Sequence, residues 1–253
     1  MLKKRVIPSL LFREYTLVKG ERFNNWRQAG TLLPAVNVHS MRDVDELLLI
    51  DLAASEVRTS NDLDLLSELT EKCNVPITFA GGINTIESIR GVLRSGADKV
   101  VINTASYDAP KLISDAVDIF GAQCIVGGID YQFDPETKKL LCISSCGKVR
   151  QFIAPDERAI QLQLAGVGEI IMTSIDHDGM LGGYDYATIQ RLRSVVDVPL
   201  IANGGCGEYS HMFDAIRSGA DAVAAASMFL YTENTPQEAR KFLAENGIPV
   251  RID

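Results

Sequence analysis

The chain has 253 residues, a 46% hydrophobic content and a formal net charge of −8. That length suits one large α/β domain with a full core. The acidic balance argues against binding nucleic acid or an anionic membrane, where a basic surface supplies the affinity.

The N-terminal stretch MLKKRVIPSLLFRE is basic and then apolar, but Pro8 interrupts the apolar run and Arg13-Glu14 end it, so it is too short for a signal peptide. No window has the apolar length of a membrane span. The five cysteines (Cys73, Cys124, Cys142, Cys146, Cys206) are odd in number, scattered and without a C-x-x-C pair. This pattern fits a reducing cytoplasm and argues against a disulfide framework or structural zinc. Cys142 and Cys146 read as incidental.

In chain order, residues 5–11 form a short apolar strand of the buried type. Residues 12–30 are long and polar and carry Lys19 and Gly20, the pattern of a lid or binding loop. Residues 32–43 can form a helix, followed by the strand ELLLID at 46–51. Residues 61–73 have helical periodicity and open on a candidate N-cap at Asn61. Residues 75–106, VPITFAGGINTIESIRGVLRSGADKVVINTAS, hold a strand, a Gly-Gly turn, an amphipathic helix and another strand. Residues 109–120 are helical, with Pro110 placed in the first turn. A fifth strand at 123–130 ends on Asp130, and residues 131–150 read as a charged hairpin or long loop around Asp134-Pro135. A helix at 156–165, a strand at 169–173, the turn SIDHDGMLGGYD and a helix at 186–195 follow.

Residues 198–229, VPLIANGGCGEYSHMFDAIRSGADAVAAASMF, then repeat the 75–106 pattern, and a helix at 236–246 closes the chain. A repeat near half the chain length implies duplication of a half-domain. Each copy is a βαβ unit, which forces parallel strands. Eight strands alternating with eight helices give an α/β fold: a (β/α)8 TIM barrel built from two duplicated (β/α)4 halves, one domain over residues 1–253.

In such barrels the active site lies at the C-terminal strand ends. Gly-Gly followed by a helix presents free N–H groups and a positive dipole end, suited to phosphate. Two such turns in register predict a ligand with a phosphate at each end. Asp51 and Asp185 read equally well as structural strand-end acids or as ligand contacts, and His177 as a solvated loop histidine. No His/Cys/Asp cluster suggests a metal, and no cofactor is expected.

The segments RVIP (5–8), VKG (18–20), ELLLIDLAAS (46–55), GGI (81–83), SGADKVVINTA (95–105), GVGEIIMTSIDHDGMLGGYD (166–185) and AAASMF (224–229) carry a resemblance over essentially the whole chain. The chain resembles the HisF family, the cyclase subunits of imidazole glycerol phosphate synthase. The resemblance implies a lyase/cyclase of histidine biosynthesis that uses ammonia delivered through the barrel by a HisH-type glutaminase subunit. It further implies two catalytic aspartates, at the ends of the first and fifth strands, acting as general acid and base. The fifth-strand member is Asp130. At the first-strand position this sequence has Leu11, and leucine cannot carry a proton. Lys19 matches the family's mobile-loop lysine. Gly82, Asn103 and Thr104 match one phosphate site, and Asp178, Gly179, Gly204, Gly205, Ala226 and Ser227 the other. Ala80 and Asn203 depart from the common glycine and serine. Arg5, Glu46, Lys99 and Glu169 match the ammonia gate, and Asp98 a contact to the glutaminase.

These residues imply a HisF-like paralogue that keeps the ammonia conduit and the glutaminase-docking face while its cyclase chemistry is impaired. The apolar first-strand end resembles copies that work with a sugar amidotransferase, supplying ammonia for acetamidino sugars of surface polysaccharide. The rival reading is an active cyclase in which Asp130 works alone or with a loop residue. A single-chain isomerase of the related HisA type leaves the gate charges unexplained.

Overall fold

The computed structural model describes residues 3–57 and 61–252. Its strands are β1 (Arg5–Arg13), β2 (Thr16–Glu21), β3 (Asn24–Thr31), β4 (Leu47–Asp51), β5 (Ile77–Ala80), β6 (Lys99–Ile102), β7 (Ile125–Asp134), β8 (Lys139–Ser144), β9 (Val149–Arg150), β10 (Glu169–Ser174), β11 (Leu200–Asn203) and β12 (Ala222–Ala225). Eight of them (β1, β4, β5, β6, β7, β10, β11, β12) pair in parallel in that order, and β12 pairs back to β1 to close a barrel. With helices between these strands, the architecture is a (β/α)8 TIM barrel.

A strand in such a barrel is covered on both faces, so it reads as a nearly continuous apolar run. β1 is buried at every position from Val6 to Phe12. Side chains alternate all the same. Ile7, Leu48, Val101, Val126, Ile171 and Ile201 meet inside the barrel with Ala222 and Ala224. Their neighbours, such as Val6, Leu10, Leu49, Phe79 and Met172, pack outward in the main core beneath the helices.

The duplicated motif has one physical meaning in both halves. In the first copy, helix Ile86–Arg94 is followed by Gly96 at φ 99°, and the Asp98 carboxylate accepts the Ile77 N–H at 2.8 Å while the Asp98 N–H donates to the Ile77 carbonyl at 2.9 Å. In the second, helix Tyr209–Arg217 is followed by Gly219 at φ 115°, and Asp221 makes the same reciprocal pair with Leu200 at 3.1 and 2.8 Å. The left-handed turn needs glycine, and the aspartate staples the start of one strand to the start of the next.

Three sequence expectations need correction. Residues 12–30 are not a loop. β1 runs on beyond the barrel, and β2 pairs with it through Phe12↔Leu17 and Arg13↔Thr16, then turns back as β3. The turn residues Arg22 and Phe23 sit at φ 50° and 59°. A two-residue hairpin turn of this hand normally advertises itself with Asn-Gly or Asp-Gly, and that signal is missing here. The cap of helix Leu63–Glu71 is Asp62, which accepts the Leu65 N–H, rather than Asn61. Pro110 precedes the cap of helix Leu112–Phe120 instead of lying in its first turn. Of the two readings left open for residues 131–150, the hairpin is the observed one, β7 to β8, with Asp134 accepting the Thr137 N–H and hydroxyl at 3.0 and 2.7 Å.

Candidate functional site

The barrel has two chemically distinct ends. At the N-terminal strand ends, Arg5 on β1, Glu46 just before β4, Lys99 on β6 and Glu169 on β10 form a ring of alternating charge. Arg5 bridges Glu46 at 2.5 Å and Glu169 at 2.9 Å, and Lys99 bridges the same two carboxylates at 2.9 and 3.2 Å. The buried Thr78 hydroxyl donates to the other oxygen of Glu46 at 2.5 Å. Burial by itself would lift the Glu46 carboxyl, but Arg5 and Lys99 override it and hold the group below the ordinary range. The four charges expected to meet do meet at that end of the barrel. Asp98 lies at the same end, with its carboxylate occupied by the Ile77 N–H.

At the C-terminal ends the barrel opens into a cavity of about 460 Å³. Asp130 reaches it from β7. Asn103 Nδ2 donates to Asp130 Oδ2 at 2.8 Å, the Thr173 hydroxyl from β10 also bonds the carboxyl, and Asn203 Nδ2 donates to Thr173 Oγ1 at 3.1 Å. Burial, reinforced by Asp178, pushes the Asp130 carboxyl up to about 7 against the downward pull of those hydrogen bonds. Such a group can hold or release a proton near neutrality, which suits acid–base work.

Leu11 stands in the opposite wall, 6% exposed, packed with Val18 and Leu52 and flanked by Trp26, Ile50 and Ala226. Lys19 is on β2 and buried; its Nζ lies 2.8 Å from both carboxylate oxygens of Asp178. The lysine expected on a loop stands on a paired strand, opposite Arg27.

The two Gly-Gly turns differ. Gly81, Gly82, Asn84, Thr85, Asn103 and Thr104 line the cavity. Asn61 Nδ2 donates to the Gly81 carbonyl at 2.9 Å and fixes that turn, and a methyl on Gly81 would meet the Asp51 carbonyl oxygen at 2.2 Å. From the other group, Asp178, Asn203 and Ala226 reach the cavity, while Gly179, Gly204, Gly205 and Ser227 lie outside its lining.

Asp51 and Asp185 serve as structural acids: Asp51 accepts the Ala54 N–H at 2.9 Å, and Asp185 caps helix Tyr186–Arg193 by accepting the Thr188 N–H at 3.1 Å. His177 Nδ1 lies 2.7 Å from the Ser174 hydroxyl. Cys142 is buried, but Cys146, read as incidental, lines the cavity. Trp26 and Thr173 also line the cavity, and no sequence motif marks them. Thr173 was findable as the last alternating position of its strand, whereas Trp26 depends on the hairpin. Among the described residues, no group of three or more His, Cys, Asp or Glu side chains could hold a metal ion.

The family model described as "Histidine biosynthesis protein" matches residues 5–235. Subunits named imidazole glycerol phosphate synthase subunit HisF match end to end: the Bacillus pumilus protein at 37% identity over 252 residues, covering 99% of this chain and 100% of the relative. The chain belongs to the HisF family. The HisF of Thermococcus gammatolerans is 38% identical over 253 residues with both chains fully covered, and that of Leptospira biflexa 39% over 252 residues with 99% of each covered. Among the described residues of this HisF-family chain, no helix is long and apolar enough to cross a membrane.

Proposed function

We propose that this chain is the barrel subunit of a cytoplasmic, glutamine-dependent complex. It docks a HisH-type glutaminase beneath the charge ring, conducts ammonia through the apolar interior, and has lost efficient cyclase chemistry. The observation that carries the proposal is Leu11, sealed among Val18 and Leu52 where the family resemblance implies a catalytic aspartate. Removing one of two acid–base groups typically costs roughly 10²- to 10⁴-fold in rate. A sugar amidotransferase making acetamidino sugars is the ammonia acceptor this reading favours, with a phosphorylated small molecule as the ligand of the upper cavity.

The test is cyclase turnover on the ribulosyl aminoimidazole precursor with free ammonium salt, side by side with a HisF relative. Free ammonia bypasses the glutaminase, so the assay isolates the upper cavity. A rate at least about 100-fold below the relative is expected. Full-length similarity to HisF subunits favours the second reading, an active cyclase relying on Asp130, and turnover comparable to the relative would establish it. In parallel, the chain should co-purify with a HisH-type glutaminase and stimulate its glutamine hydrolysis; failure of both removes the ammonia-delivery reading.

A further inference from the structure

Asp130, Thr173 and Asn203 stand side by side on three neighbouring strands. Thr173 of β10 is in register with Asp130 of β7 on one side and with Asn203 of β11 on the other. We infer that Asn203 is a positioning residue for Asp130: acting through Thr173, it biases the carboxyl toward its ionised, proton-accepting form, so that Asp130 serves as the base of the cavity. This role rests on the reading given above of Asp130 as the acid–base group that the chain retains.

The direction of each hydrogen bond carries this role. An ionised carboxylate only accepts. Asn103 Nδ2 donates to Asp130 Oδ2 at 2.8 Å, and the Thr173 hydroxyl bonds the same carboxyl. A methyl on Gly128 would come within 2.8 Å of Asn103 Cβ, so the bare glycine lets Asn103 stand beside Asp130. A threonine hydroxyl has one proton to give and two lone pairs. Asn203 Nδ2 donates to Thr173 Oγ1 at 3.1 Å, which fills an acceptor site and leaves the hydroxyl proton for Asp130. A serine at position 203 could donate or accept, whereas an amide nitrogen only donates. The row therefore runs one way, from Asn203 to Thr173 to Asp130, and each donor on the carboxyl favours its charged form. Asn103, Asp130, Thr173 and Asn203 all line the cavity, so the carboxylate they prepare meets whatever the cavity binds. The other titratable groups around Asp130 are Asp178, with Lys19 paired to it, Tyr107 of helix Ala105–Asp108, and Cys142 of β8. Arg158 of helix Pro155–Leu164 lies 4.1 Å from the Tyr107 ring, and Asp108 and Cys146 share the cavity lining. Burial and Asp178 push the Asp130 carboxyl up to about 7, and the row of donors works against them.

The readout is the ionisation midpoint of Asp130 itself, followed by carbon NMR on the full-length chain labelled at its aspartate carboxyls. The Asp130 signal is the one that Asp130→Asn removes. Wild type should titrate near pH 7. Thr173→Val keeps the shape and loses the hydroxyl, and should raise the midpoint by about one pH unit, a tenfold drop in the ionisation constant; Thr173→Ser should restore it. Asn203→Ala should raise the midpoint by about half as much, and should add nothing once Thr173→Val is present. Water entering the space vacated at position 203 would lower the midpoint instead, so the sign separates a lost donor from loosened packing. A midpoint unmoved or lowered by Thr173→Val overturns the role, as does an Asn203→Ala effect as large in the Thr173→Val background as in wild type. If Thr173→Val does not fold, Asn203→Ala decides alone: a rise supports the role, and no change or a fall overturns it. The titration needs neither substrate nor glutaminase. If Asp130 titrates near pH 7 and ignores these variants, the role of Asn203 fails and the acid–base reading of Asp130 stands. If wild type titrates near the ordinary 3.8, that reading fails and takes the role of Asn203 with it.

Discussion

Replacing Asp130 with asparagine should make the protein more stable at alkaline pH and nearly neutral in effect at acid pH. The carboxyl is raised from its ordinary 3.8 to about 7, chiefly by burial. The unfolded chain therefore ionises first, and native stability falls from about pH 4 until the folded group has ionised near pH 7. At about 1.36 kcal/mol per pH unit, the full penalty above pH 7 is about 4 kcal/mol. Roughly 2 kcal/mol of it falls between pH 5.5 and pH 8, and water in the open cavity reduces this toward about 1 kcal/mol. The amide oxygen introduced by Asp130→Asn can accept the same Asn103 donor, so the substitution isolates the charge. Urea unfolding of both proteins at several pH values measures the difference. If the gap between wild type and Asp130→Asn does not widen from pH 5.5 to pH 8, the carboxyl is not raised and its assignment as a proton carrier near neutrality fails.

Leu11→Asp loses the burial of a leucine, about 2 kcal/mol, and puts a carboxyl against Val18 and Leu52; denaturant curves should show a larger loss at pH 8 than at pH 5. Lys19→Met strands the buried Asp178 carboxylate and should cost about 3–5 kcal/mol, most of it recovered in the double variant with Asp178→Asn, a coupling that a double-mutant cycle reads directly. Asp98→Ala leaves the Ile77 N–H without its acceptor, at about 1–3 kcal/mol. Thermal unfolding should show Asp221→Ala to be worse, because Asp221 also pairs with Lys4 at 2.7 Å and Arg193 at 2.9 Å.

The barrel was legible because its signals are local and repeated. Val-Pro, Gly-Gly and Arg-Ser-Gly-Ala-Asp each mark a fixed place in a βαβ unit, and the strands are too short and apolar to read otherwise. The charge ring was legible from the family resemblance at four strand starts, and the side chains converge as expected. The hairpin of β2 and β3 was not legible. β3 is exposed or half-buried throughout, the turn lacks glycine, and polar composition alone resembles a loop. Everything that depends on it, including the place of Trp26 and the burial of Lys19, was therefore hidden. That Gly81 and Gly82 line the cavity while Gly204 and Gly205 do not was hidden too, because the two turns match in sequence.

The backbone dihedrals of the rim carry a consequence for how the molecule comes apart. Apart from Asp43, every non-glycine residue at positive φ among the described residues lies in the hairpins and loops above the C-terminal strand ends, including Glu14, Arg22, Phe23, Cys146 and Leu181. Each such conformation costs on the order of 1–3 kcal/mol and persists only while its surroundings enforce it. The staves of the barrel are relaxed and the crown is under tension. Heating should therefore loosen the crown first, with amide hydrogens around Arg22 and Cys146 exchanging through openings far cheaper than those that release Val126 or Ile170.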